Sequence, residues 1–115
     1  MKIIYKNCAV EKQFSSKYQS KWKYPQQVKI KLLAAEKLIK AAESLQDIAC
    51  YIPFRFHILR GDRKNEWSIS LGNTGYRVTL IPCDDQERPI VTGDVMAKCK
   101  VIKVVLVTEV SNHYE

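Results

Sequence analysis

Two histidines set among arginines are the chemistry-bearing residues of this 115-residue chain. The run Phe54-Arg-Phe-His-Ile-Leu-Arg-Gly-Asp-Arg63 carries Arg55, His57, Arg60 and Arg63, with Lys64 directly after it. The second histidine, His113, lies in the closing Asn112-His113-Tyr114. Such a set suffices to cleave a phosphodiester without a metal. One group takes a proton, another gives one, and cations hold the charge that builds on phosphate. Free imidazole, with a pKa of about 6.5, suits both proton transfers near neutral pH. An RNA substrate would bring its own nucleophile, the 2′-hydroxyl.

Composition narrows the setting. The chain has the size of one domain, and a hydrophobic fraction of 46% is ordinary for a globular protein. No apolar run approaches the roughly 20 residues of a membrane span. The opening Met1–Lys6 is too short for a signal-peptide core, so a cytoplasmic protein is expected. Cys8, Cys50, Cys83 and Cys99 are scattered, without a Cys-x-x-Cys pair or a nearby histidine, which argues against zinc and for plain thiols. No metal or cofactor is expected.

The net charge of +7 is unevenly placed. Residues 1–46 hold ten lysines against Glu11, Glu36 and Glu43, whereas residues 82–115 carry an acidic excess. A basic front half suggests an extended anionic partner, with nucleic acid the leading candidate; solvated lysine-bearing helix faces are the plainer reading.

The elements that must position these residues follow from periodicity. Lys2 to Tyr5 reads as a short strand. Asn7 caps a first helix running to about Lys21, with Val10, Phe14, Tyr18 and Trp22 as its apolar stripe. Pro25 opens a second helix to about Ser44, with Val28, Leu32, Ala35, Leu38 or Ile39, Ala42 and Leu45 facing inward. Lys29, Lys31 and Lys37 decorate its outside. Together the two helices predict a helical hairpin. The pattern then alternates. One strand places Phe54, Phe56 and Ile58 against Arg55 and His57. The next sets Trp67, Ile69 and Leu71 against Ser68 and Ser70. After a Gly72–Gly75 turn, Tyr76, Val78 and Leu80 oppose Arg77 and Thr79. Residues 82–99 form an acidic, proline-bearing excursion, and Val101–Val110 reads as a strand buried on both faces. The expectation is an α+β domain with helices on one face of a mostly antiparallel sheet. The opposite face would collect Arg55, His57, Ser68, Ser70, Arg77 and Thr79.

Phe56-His-Ile-Leu-Arg-Gly-Asp-Arg63, Trp67-Ser-Ile-Ser70, Tyr76-Arg-Val78 and the closing Glu109…His113 resemble the HigB toxins of the RelE/ParE superfamily. The resemblance spans most of the chain and implies a RelE-like fold over residues 1–115. It also implies a type II toxin–antitoxin toxin: a ribosome-dependent messenger-RNA interferase held inactive by a HigA-like helix-turn-helix antitoxin. By position, His57 corresponds to the family's catalytic histidine, Arg77 to an arginine on the third strand, and His113 to the terminal histidine. Arg60 replaces a frequent lysine; because guanidinium stays protonated, it can stabilise charge but not shuttle protons. Ser111-Asn112 stands where well-known members have Asp-Tyr, with Tyr114 after the histidine instead.

On this reading His57 and His113 share the general base and acid roles, while Arg60 and Arg77 stabilise the phosphorane. Arg55, Arg63, Lys64, Tyr114, Lys29, Lys31 and Lys37 would contact messenger or ribosomal RNA. Two other classes remain open: a ParE-like gyrase-inhibiting toxin, and an RNA-binding module that cuts nothing.

Overall fold

The computed structural model describes residues 1–59, 65–91 and 93–112. In chain order, β1 spans Lys2–Tyr5, α1 Cys8–Phe14, α2 Gln26–Ala41 and α3 Leu45–Cys50. β2 spans His57–Ile58, β3 Trp67–Ser70, β4 Tyr76–Cys83 and β5 Val104–Asn112. Among the described residues the strands form one five-stranded sheet, β1-β5-β4-β3-β2. β1 runs parallel to β5, and the other neighbours are antiparallel. The fold is α+β with a mixed sheet, and the described residues include no helix long and apolar enough to cross a membrane.

The first helix is shorter than its stripe predicts. Asn7 Oδ1 accepts from Val10 N at 2.9 Å and starts α1 as expected. At Ser15 the backbone turns extended (φ −72°, ψ 131°), and a 3-10 segment follows over Ser16–Lys21. Serine hydroxyls compete with helical hydrogen bonding, and Ser15 Oγ accepts from Lys17 N at 3.3 Å. Glu36, buried on α2, draws Ser16 N away at 3.0 Å. The stripe survives the break: Val10, Phe14 and Trp22 are buried, although Tyr18 is only half-buried. The first arm of the expected hairpin is therefore two pieces, and α1 lies against β5 and β1.

α2 ends at Ala41, three residues early, because Ala42 turns extended. Its buried face is Val28, Leu32, Ala35 and Ile39, with Leu38 turned outward. A third helix, α3, was not expected. Ser44 caps it through Gln46 N at 3.3 Å, and Asp47 accepts from Glu43 N at 2.9 Å. That Ser-x-x-Asp pattern is a helix-start signature.

One hydrophobic core joins Phe14, Leu32, Ile39 and Leu45 to Ile69, Val78, Leu80, Val105 and Val107 of the sheet. Strand parity therefore gives β3, β4 and β5 a second face, which carries Ser70 and Arg77. β5 starts three residues later than the β-branched run does, since Val101 is exposed. It is closely buried only through Val107, rather than along its whole length. A register shift at Thr79/Leu80 leaves Thr108 as an extra residue on β5. The excursion after β4 folds back on that strand, with Ile90 N donating to Pro82 O at 3.0 Å. Pro82 is tolerated inside β4 because β3 reaches only as far as Leu80.

Candidate active site

The strand expected to carry His57 is almost absent. Ile52–Phe54 forms a 3-10 turn with Pro53 in its first positions, and Arg55 follows in the left-handed region (φ 48°, ψ 46°). Among the described residues only His57 and Ile58 are in strand pairing with β3, opposite Ser68 and Trp67. The alternation of Phe54, Phe56 and Ile58 therefore does not define a face. Phe54 is buried from the turn, Phe56 stacks on Trp67 (centroids 4.6 Å apart, planes 9° apart), and Ile58 is exposed.

The left-handed turn has a chemical consequence. It aims the Arg55 carbonyl back at His57, whose Nδ1 lies 2.6 Å from that oxygen. A carbonyl only accepts, so Nδ1 carries the proton. In neutral imidazole the other nitrogen, Nε2, then holds the lone pair.

Register brings the remaining groups to the same side. Ser70 on β3 faces Arg77 on β4, which faces Ser111 on β5. His57 faces Ser68, which in turn faces Thr79. His57 and Arg77 thus sit two strands and two residues apart, roughly 12 Å between Cα atoms from sheet spacing alone. They do not need to touch. Both line one open cavity of about 480 Å³ together with Arg55, Ser68, Ser70, Gly72, Asn73, Gly75 and Tyr76. Among the described lining residues there is no carboxylate. Two guanidinium groups lining one cavity favour an anionic occupant.

Arg77 Nε and Ser111 Oγ are both buried, and neither has a hydrogen-bond partner among the described residues. Leaving a buried polar group unmatched costs about 1–3 kcal/mol. Of the two, Arg77 lines the cavity, which makes its guanidinium the candidate for contact with a ligand oxygen.

Five expected face residues therefore converge: Arg55, His57, Ser68, Ser70 and Arg77. Thr79, fully buried, does not line the cavity. Tyr76 packs against the core as expected and, at the strand's first position, also lines the cavity. Its amphipathic ring beside a glycine turn was the available signal. Gly72 and Gly75 hold positive φ in that turn, and a Cβ on Gly72 would stand 3.0 Å from Lys31 Cε. Lys31 thus reaches the rim. Lys29 and Lys37 lie on a different side of α2, about 160° and 120° around the helix from Lys31, so the three do not form one patch. Arg60, Arg63, Lys64, His113 and Tyr114 lie outside the described residues.

No protein-family model and no curated protein matches this chain.

Proposed function

We propose that this protein is a HigB-type toxin that cuts messenger RNA on the ribosome by attack of the 2′-hydroxyl on the adjacent phosphate. The observation that carries the reading is the His57 ring: with Nδ1 held by the Arg55 carbonyl, Nε2 is the nitrogen left for chemistry at a cavity lined by Arg55 and Arg77. Neutral His57 takes the 2′-hydroxyl proton on Nε2. The 2′-oxygen bonds to phosphorus, and the bond to the 5′-oxygen breaks. A second group protonates that leaving oxygen, a role the resemblance gives to His113. Arg77, which lines the cavity, and Arg60 by resemblance, meet the charge on the phosphorane. Products are a 2′,3′-cyclic phosphate and a 5′-hydroxyl.

The partners in this reading are the ribosome and a HigA-like antitoxin. Purified protein added to ribosomes translating a defined messenger tests it by mapping the new ends. New ends bearing cyclic phosphate are expected. Intact messenger with arrested gyrase would instead favour ParE behaviour, and ribosome binding without cleavage would favour the RNA-binding module.

A further inference from the structure

A second cleft, of about 500 Å³, opens where the first helix breaks. Lys12, Lys21 and Lys23 line it together with the rings of Tyr18, Trp22 and Tyr24, and no carboxylate is among its described lining residues. Tyr76 lines both this cleft and the His57 cavity, so the two adjoin at its ring. An aromatic series bridges them. Trp22 and Tyr24 meet edge-on at 5.8 Å, and Tyr24 meets Tyr76 edge-on at 5.7 Å.

These rings are fixed before any ligand arrives. Trp22 Nε1 donates to Lys12 O at 2.9 Å, and Tyr24 Oη donates to Gln13 O at 2.9 Å. Both acceptors are C-terminal carbonyls of α1 that the helix cannot satisfy itself. The polar ends of the two rings are thereby engaged; Trp22 is buried as the cleft's floor, and the half-buried Tyr24 and Tyr18 rings are the apolar surface left between lysines. Rings already held in place cost little further ordering on binding.

We propose that this cleft is a second subsite, which binds the single-stranded nucleic acid flanking the phosphodiester in the His57 cavity. The assignment rests on the nuclease reading for its register but not for its chemistry. Interleaved aromatics and cations are the pairing that single strands use: bases stack on rings while phosphates meet lysines. An acidic peptide would use the lysines and leave the rings without a π partner. A duplex keeps its bases inside, so it too would leave them unused. The break at Ser15 thus contributes to the site, because it separates Trp22 and Tyr24 from α1 and seats them on its last carbonyls.

The test uses the full chain and fluorescein-labelled 2′-O-methyl oligouridylates, which bind but cannot be cut, read by anisotropy. A hexamer reaches both sites, whereas a dinucleotide fills only the His57 cavity. The hexamer is expected to bind at least about tenfold more tightly than the dinucleotide, from one or more stacked bases. Tyr18→Ala and the double variant Lys21→Glu, Lys23→Glu should each remove most of that gain and leave dinucleotide affinity in place. Neither variant touches the buried core, and unchanged melting curves would confirm folding. Hexamer affinity unaltered in both variants would overturn the subsite. So would a labelled hexaglutamate binding as tightly as the hexamer. A cleft-dependent hexamer gain in a protein that leaves ribosomal messenger intact would support the subsite and remove only the nuclease reading.

Discussion

His57 Nδ1 lies 2.6 Å from the carbonyl oxygen of Arg55, two residues earlier in the chain. The contact exists because Arg55 adopts a left-handed conformation that a non-glycine residue enters at a cost of about 1–2 kcal/mol. A strained turn thereby sets the tautomer of a candidate catalytic base. We predict that neutral His57 is the Nδ1–H tautomer, readable in long-range nitrogen–proton correlation spectra of the imidazole. Arg55→Gly should preserve it. Arg55→Val, whose β-branch resists positive φ, should lose it and destabilise the fold by about 1–3 kcal/mol. A dominant Nε2–H form in the unaltered protein would contradict this account.

Arg77 separates function from stability. Its Nε is buried without a partner among the described residues, so replacing the side chain by an apolar one of similar length removes an unmatched donor. Arg77→Met is predicted to hold or raise stability, by about 1 kcal/mol at most. The same change should lower cleavage by about 100- to 1000-fold, the usual loss for one charge-stabilising donor. Melting curves and cleavage rates on one preparation check both halves. A variant that unfolds would show Arg77 to be structural instead.

Glu36 is buried and accepts the Ser16 amide at 3.0 Å, with Lys40 Nζ at 3.7 Å. Glu36→Ala strands that amide and should cost about 1–3 kcal/mol in denaturant unfolding. Glu36→Gln keeps an acceptor there and should cost less. Equal losses in the two variants would mean that the Ser16 hydrogen bond is not what holds the break between α1 and the 3-10 segment.

Burial pushes the Cys83 thiol up to about 11, with Asp84 and Glu87 adding to the shift. Burial likewise raises the Tyr24 phenol to about 12, helped by Tyr76. At pH 8 an alkylating reagent should therefore modify exposed Cys8 and Cys50 and spare Cys83 until the protein unfolds. Both Cys83 and Tyr24 are acids held neutral by the fold, so their contribution to stability is complete below the unfolded values of 9.0 and 10.0. It is lost as pH rises through about 11 for Cys83 and about 12 for Tyr24. Stability that rose over pH 9–12 would contradict the assignment.

Periodicity made the sheet readable. The alternation of Trp67, Ile69 and Leu71 with Ser68 and Ser70 placed β3 correctly, and Val78 and Leu80 against Arg77 did the same for β4. Those two strands brought Ser68, Ser70 and Arg77 to the cavity. Arg55 and His57 also reach it, yet by a 3-10 turn and a left-handed residue rather than by strand parity. No alternation pattern encodes that. The helix break was equally hidden, since Trp22 stays buried whether or not the helix continues. It depends on the Glu36 carboxylate arriving from α2, a contact between residues 20 apart in sequence. The α3 start was legible in Ser44-x-x-Asp47, but the α2 stripe runs in phase into Leu45 and masked it.

The central claim is that the His57–Arg77 cavity cuts RNA through its own 2′-hydroxyl. The most direct measurement is a single-turnover assay on ribosomes programmed with a messenger carrying one 2′-deoxynucleotide at the mapped cleavage position. The account predicts that the all-ribose messenger is cut to a 2′,3′-cyclic phosphate. The deoxy messenger should stay whole at that position, and His57→Ala should lose cleavage of the ribose messenger while still binding ribosomes. Cleavage of the deoxy messenger at the same bond, or full activity in His57→Ala, would contradict it.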